Sequence, residues 1–275
     1  MRRRTDSREV YADLRVRGPL VVRADGRGFG RLLRDAEKPY DIKFAGAMAE
    51  AARIFVEGSG LSPALAFTFS DEINLLFAVA PFRGRLEKID SVVAASLSGH
   101  LSIGLGRAVA MDARAIPLCP GEICEYFAER QDEAWRNHVF SSGFYALIDD
   151  GLAPREAMGR LLGMKEADIH EMLFQRGVNL AKSPPWQRRG ILIRRIEGAD
   201  EDEDLARGEG AAREKEMGDE SVGERGGERG ARRRRIGGVV EGERRITRRI
   251  VEDWEPPLFR SEEGKSLLEG TICGR

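Results

Sequence analysis

The chain has 275 residues, 41% of them hydrophobic and 33% charged, which suits one large domain or two modest ones around a real core. Its 45 basic and 46 acidic side chains leave a formal net charge of −1, which excludes a uniformly basic nucleic-acid binder, so any RNA site has to arise from local clustering. The arginines of MRRRTDSREV have no apolar stretch behind them and no run approaches the ~20 apolar residues of a membrane span, so a soluble, cytoplasmic protein with no signal peptide and no membrane partner is expected.

Residues 19–25 (PLVVRAD) read as a buried strand that runs into the glycine-rich turn Gly26-Arg27-Gly28-Phe29-Gly30. From Asp41 to Glu57, Phe44, Ala47, Met48, Ala51 and Phe55 recur at helical spacing, with Asp41 placed to cap the start and Gly58 and Gly60 to stop the helix. Residues 64–80 form a hairpin pattern: Leu65, Phe67 and Phe69 alternate before the bend at Ser70-Asp71-Glu72, and Ile73, Leu75, Phe77 and Val79 alternate after it. A second helix over about 85–103 carries Leu86, Ile89, Val93, Leu97 and Leu101 on one stripe, and a further strand is expected near 107–113.

That order is the split βαβ, ferredoxin-like arrangement, so the fold class is α+β: a palm-like antiparallel sheet with packed helices over residues 1–120. Residues 121–196 are expected to be a mainly helical region of the same domain, with Pro154 at an early helical position and GILIRR (190–195) returning to a strand pattern. Between about 197 and 236 the chain is acidic first and arginine-rich last, with almost no large apolar residue, and reads as a disordered charged insertion. Its Arg232–Arg235 run reads as a solvated charge tract ahead of an RNA contact. Residues 237–275 bring a C-terminal strand back to the core (243–259 alternates and suits pairing with 190–195) and then a tail.

Two carboxylate motifs stand out on this scaffold. VVRADGRGFGR (21–31) ends a strand in Asp25 and a flexible basic turn, and FTFSDEINLLF (67–77) sets Asp71 and Glu72 at a bend between two strands. Phosphoryl transfer needs carboxylates for metal and donors for phosphates. Asp25 and Asp71 answer the first need, and the Gly26 carbonyl is a hard oxygen able to complete a magnesium shell. The N–H groups of the turn 26–30 answer the second, with Lys38, Arg83, Arg85 and Lys88 as candidate partners of the outer phosphates and Ser70 as a hydroxyl donor. Taken singly, a glycine turn is a turn and an Asp-Glu pair is solvated; it is their expected meeting on neighbouring strands that points to nucleotidyl transfer.

VVRADGRGFGRL, KPYD (38–41), FSDEINLLF, FRGRLEKI (82–89), RQDEAWRN (130–137) and WQRRGILI (186–193) together resemble the tRNA-histidine guanylyltransferase family, in its archaeal and bacterial branch of 3′-to-5′ polymerases. The resemblance implies a palm-like enzyme that extends RNA at its 5′ end, with two Mg2+ ions on the residues matching Asp25, Gly26 and Asp71. It implies triphosphate contacts from Asp25, Gly26, Arg27, Gly28, Phe29, Gly30, Ser70 and Asp71, with Lys38 near the triphosphate. GTP and ATP are the implied nucleotides, histidine tRNA or 5′-truncated tRNAs the implied partners, and a homotetramer the implied assembly. Glu72 is either a third metal ligand or a residue that orients the ligands from behind, the second role being preferred.

Where eukaryotic members carry HINNLYN this chain has Trp135-Arg136-Asn137-His138-Val139-Phe140-Ser141, and Gly30 and Gly84 replace a histidine and an arginine, which puts strict histidine-tRNA specificity in doubt. Arg130, Arg136, Arg160 and Arg176 are candidates for a local basic face toward an acceptor stem, His138 and His170 lie among them, and His100 reads as packed. Cys119, Cys124 and Cys273 lack metal-type spacing and read as free, buried thiols. Two rival functions share the scaffold: a palm-type nucleotide cyclase or cyclic-dinucleotide synthase, and a non-catalytic RNA-binding module.

Overall fold

The structure, a computed structural model, describes residues 8–199 and 246–273. Two units divide the chain, one of Met1–Arg195 with Ile250–Arg275 and the other of Ile196–Arg249. Of the second, only the strand ends 196–199 and 246–249 are described, so the expected disorder of 197–236 and the Arg232–Arg235 run lie outside the described residues from 200 onward.

The six strands, β1 (Leu20–Gly26), β2 (Leu65–Phe69), β3 (Glu72–Phe77), β4 (Met111–Pro117), β5 (Ile191–Ala199) and β6 (Ile246–Asp253), form one sheet in the order β4-β1-β3-β2-β5-β6. The first four, with α2 (Ile42–Gly58) and α3 (Leu86–Leu105) as crossovers, make the expected ferredoxin-like unit, antiparallel at each pairing of β1 through β4. β5 adds antiparallel to β2, and β6 lies beside β5, as the alternation of 243–259 anticipates.

Strand alternation divides the core into two layers. Leu20, Val22 and Ala24 of β1 and Ile73, Leu75 and Phe77 of β3 pack with Met48, Phe55, Ile89 and Val93 of the crossover helices. Val21, Leu65, Phe67 and Leu76 face the other way, against Ile123 and Phe127 of α4 (Ile123–Asp149). Asp41 caps α2 as expected, its Oδ1 accepting from the backbone N–H groups of Lys43 and Phe44 at 2.8 and 3.0 Å. Helices α5 (Pro154–Leu161) and α6 (Glu166–Gln175) pack on the far half of α4 through a third cluster that includes Val139, Leu147, Leu161 and Leu173. Among the described residues no helix is long and apolar enough to cross a membrane.

Three expectations need correction. The strand expected at 107–113 begins only at Met111, because Gly106 ends α3 at φ +64° and the α3 serines then hold the connection: Ser102 Oγ accepts from the Val109 N–H at 3.0 Å and Ser98 Oγ from the Met111 N–H at 2.8 Å. The expected tail instead forms a helix over Glu262–Cys273, and Phe259 and Leu268 are fully buried against Phe67 and Phe127. Gln131 clasps this returning segment: its Nε2 donates to the carbonyls of Pro257 (3.1 Å) and Arg189 (3.3 Å), and its Oε1 accepts from the Phe259 N–H at 2.8 Å. The thiols of Cys119 and Cys124 are free, but Cys119 is exposed, because it precedes the turn Pro120–Glu122 on the surface rather than facing the core.

Candidate active site

β2 and β3 are joined by the two residues Ser70-Asp71, since Phe69 pairs with Glu72 in the ladder. So short a connection needs a left-handed residue, and Ser70 supplies it at φ +50°, at a cost of roughly 1–2 kcal/mol for a residue with a Cβ. The turn is tied to the end of β1 by the Gly26 N–H, which donates to the Asp71 carbonyl at 3.0 Å. The two carboxylate motifs therefore meet as expected. A Cβ on Gly26 would lie 2.6 Å from the Phe29 ring, so glycine is what lets the chain fold back this closely. Gly28, at φ +74°, opens a one-turn helix (α1, Phe29–Leu32) whose first N–H groups, those of Phe29 and Gly30, have no intrahelical acceptor. The Arg27 N–H, by contrast, is committed to the Ala110 carbonyl at 2.9 Å.

Register places a row of carboxylates across three strands, because Asp25 stands opposite both Glu72 of β3 and Asp112 of β4. Like charges directly opposite repel, and the next row on the same face, Arg114–Arg23–Asn74, supplies compensation. Arg114 Nη2 lies 3.1 Å from both Asp25 Oδ2 and Asp112 Oδ1. Arg23 Nε lies 3.7 Å from Asp25 Oδ2 and 3.9 Å from Glu72 Oε2, and Arg130 Nη1 reaches the same Glu72 oxygen at 3.4 Å. Asp71 makes no ion pair with these cations; its Oδ1 accepts from the Ser70 hydroxyl at 3.2 Å, and its carboxylate also accepts from its own backbone N–H. Burial raises the pKa of the Asp71 carboxyl, and the charge of Asp25 raises it further. Burial likewise raises that of Glu72, against the lowering effect of the Asn74 hydrogen bond and the two arginines.

The donor set suits a hard divalent cation: two carboxylates that repel one another, a backbone carbonyl, and a loop that only glycine allows to close. Among the described residues no group of three or more His, Cys, Asp or Glu side chains forms a metal cage.

Beside the turn lies a cavity of about 350 Å³ whose walls include Lys38, Tyr40, Phe44, Ser70, Asn137 and Trp186. Lys38 thus stands on the same cavity as Ser70, its ammonium donating to the Leu33 carbonyl and lying 5.6 Å from the centre of the Tyr145 ring. The structure does not bring Arg83, Arg85 and Lys88 to this place. They follow β3 beyond the Leu20–Phe77 end of the ladder, while Asp25 lies five residues along β1, about 17 Å away at 3.4 Å per residue. There Arg85 pairs with Arg15 in an isolated bridge, and Lys88 lies over the Phe82 ring at 4.8 Å.

The expected basic face is also largely committed to internal pairs. Arg130 holds Glu72, Arg136 holds Glu133, and Arg176 holds Asp150 at 2.6 Å; of the four, only Arg160 makes no ion pair of this kind among the described residues. His138 is buried rather than presented to RNA. His170 lies 3.7 Å from Glu166. His100 is half-buried beside the Ser96 hydroxyl at 3.3 Å, in keeping with packing.

Sequence reasoning missed Arg23, Arg114, Asp112, Asn74 and Tyr126. Arg23 and Asn74 were findable, each two residues from a chosen carboxylate and so on its face of the strand. Asp112 and Arg114 were hidden by placing β4 four residues early.

A palm-like antiparallel sheet with carboxylates at the β1 end and the β2–β3 turn, beside a nucleotide-sized cavity, is the architecture of a nucleotidyltransferase. Comparison with known proteins agrees. A family model described as tRNAHis guanylyltransferase matches residues 3–126, and one described as the Thg1 C terminal domain matches residues 121–235. The tRNA(His) guanylyltransferase of Debaryomyces hansenii is 30% identical over 209 residues, covering 68% of this chain and 78% of that protein. The probable tRNA(His) guanylyltransferase of Drosophila melanogaster is 29% identical over 192 residues, covering 64% of this chain and 66% of that protein. Among solved structures, a bacterial tRNA(His) guanylyltransferase (Thg1)-like protein in complex with ATP is 25% identical, with a TM-score of 0.59 over 68% of this chain and 84% of that one. The chain belongs to the tRNA(His) guanylyltransferase family.

Proposed function

We propose that this protein adds GMP to the 5′ end of histidine tRNA, building in the 3′-to-5′ direction, and that it also extends 5′-truncated tRNAs. The observation that carries the reading is the junction of Asp25, Gly26 and Asp71, next in the chain to Ser70, which with Lys38 lines the cavity. The GTP and ATP bases suit its aromatic and apolar walls, and the triphosphate suits the first-turn N–H groups of Phe29 and Gly30. In the transfer step, the 3′-hydroxyl oxygen of GTP bonds to the phosphorus attached to the tRNA's 5′ oxygen (the α phosphorus of a 5′-triphosphate end) and the hydroxyl proton is lost. The bond to the leaving group breaks with its electron pair, releasing pyrophosphate from a 5′-triphosphate end or AMP from an end first adenylylated by ATP. Hydrolytic loss of pyrophosphate from the added residue's own triphosphate then leaves a GMP unit. Asp25 and Asp71, with the Gly26 carbonyl, would hold two Mg2+ ions. Such ions lower the pKa of an attacking hydroxyl and neutralise charge on the departing phosphate. Lys38 and Ser70 fix the triphosphate, and the chain supplies no side-chain nucleophile. A homotetramer acting in the cytoplasm completes the reading that the resemblance implies.

The test is incubation with labelled GTP and histidine tRNA, with and without its extra 5′ guanosine, and with 5′-truncated tRNAs, followed by mapping of added nucleotides. Magnesium-dependent label at the 5′ end is the expected result. A cyclic product from GTP alone would replace the reading with a cyclase, and magnesium-independent tRNA binding with no labelled product would replace it with an RNA-binding module.

A further inference from the structure

We propose that Asn74 and Tyr126 are positioning residues, which fix the carboxylate of Glu72 and, through Arg23, the geometry of Asp25. The proposal rests on the nucleotidyl-transfer reading above and extends the site to a helix that carries none of its carboxylates.

Asn74 is fully buried in the middle of the sheet, on the face covered by α4. A buried amide has to find partners for both ends. Its Nδ2 donates to Glu72 Oε1 at 2.7 Å and approaches the Phe67 carbonyl at 3.5 Å, while its Oδ1 accepts from the Tyr126 hydroxyl at 2.7 Å. Chemistry sets the direction of this chain. An ionised carboxylate only accepts, so the amide NH2 must face Glu72, and the amide oxygen is left for a donor. Tyr126 is the donor that meets it, and its O–H is thereby pointed away from water.

With Oε1 held by Asn74, the other oxygen of Glu72 faces Arg130 at 3.4 Å and Arg23 at 3.9 Å. Arg23 sits in turn 3.7 Å from Asp25. Its Nε is buried with no hydrogen-bond acceptor, so that nitrogen is placed by the carboxylates on its two sides, while the guanidinium also donates a hydrogen bond to the Tyr126 oxygen. The series Tyr126, Asn74, Glu72, Arg23, Asp25 therefore runs from the first turns of α4 to the proposed reaction centre. Without the Tyr126 hydroxyl, the amide oxygen loses the donor that holds it, and the Glu72 oxygen that Asn74 grips is less firmly fixed than the one facing Arg130. Such networks act as units, so single deletions are expected to be non-additive.

Tyr126→Phe is the informative variant, because the ring still packs edge-on against Phe127 (centroids 5.4 Å apart) while the hydroxyl is removed. Steady-state transfer of labelled GMP should show kcat about tenfold lower with KM for GTP within about twofold, the pattern of lost transition-state geometry with retained binding. Asn74→Leu should lower kcat at least as far, and adding Tyr126→Phe to it should cost nothing more. Thermal unfolding of the two single variants and the double should show the same non-additivity, a readout that needs no turnover. Wild-type kcat in a folded Tyr126→Phe protein, or losses that simply add in the double variant, would overturn the proposal. An inactive unmutated chain would sink the transfer reading instead, leaving the unfolding cycle to decide the network on its own.

Discussion

The backbone N–H of Gly26 lies 3.0 Å from the carbonyl oxygen of Asp71, and this single hydrogen bond joins the end of β1 to the β2–β3 turn. It makes neighbours of two carboxylates 46 positions apart in sequence, between residues 25 and 71. The two are close enough for the charge of Asp25 to help raise the pKa of the Asp71 carboxyl.

Asp71→Asn should abolish GMP transfer while leaving the protein at least as stable as before. The folded state raises the pKa of Asp71 through burial and the nearby Asp25, so the ionised carboxylate weakens the fold at neutral pH and a neutral isostere relieves it. On the proposed role of Asp71 as a metal ligand, worth several kcal/mol of transition-state stabilisation, the rate should fall at least ~10³-fold. Labelled-GTP incorporation together with a melting curve checks both halves; near-normal turnover would remove Asp71 from the site.

Gly26→Ala should be more damaging than an alanine in a strand usually is. Its methyl would sit 2.6 Å from the buried Phe29 ring, so the loop has to shift, at a cost of about 1–3 kcal/mol. Pairing it with Phe29→Leu should recover part of the stability, which denaturant titration of the single and double variants measures. Equal stability of both would show that the ring yields freely.

Gln131→Ala should destabilise the protein by about 3 kcal/mol, because it strands the Phe259 N–H and the carbonyls of Pro257 and Arg189 in a buried position. Phe259→Ala should cost a similar ~3–5 kcal/mol, as the ring fills a fully buried site between Phe67 and Phe127. Urea midpoints test both, and a change under 1 kcal/mol would mean the returning segment is not part of the cooperative core.

Acid should weaken the fold through His138. Burial, with smaller contributions from Arg188 and His170, lowers its pKa to about 4 from the usual 6.5, and neither ring nitrogen has a hydrogen-bond partner. The unfolded chain therefore binds the proton first. The stability that a neutral His138 preserves is intact above pH 6.5 and is lost as the pH falls toward about 4, by up to ~3 kcal/mol. Between pH 7 and pH 4 the melting temperature of the parent should fall relative to that of the His138→Phe protein; parallel curves would rule His138 out.

The βαββαβ order, the Asp41 cap, the hairpin and both strand-end carboxylates were legible because each depends on local alternation or capping. What stayed hidden depends on partners distant in sequence. Nothing near Gln131 announces that its amide clasps residues 257–259, and nothing near Tyr126 points to Asn74, 52 positions earlier. The basic string at 83–88 misled for a related reason. Its composition suits phosphate, but the hairpin direction carries it to the other end of the sheet from Asp25.

Helix α4 spans 27 residues, about 40 Å at 1.5 Å per residue. Near its start it presents Tyr126 and Arg130 to the carboxylate row, and over its far half it is gripped by α5 and α6. One helix therefore joins the cluster it shares with α5 and α6 to the hydroxyl that meets Asn74 at 2.7 Å, so the carboxylate row is anchored by an element whose other end is packed well outside the sheet.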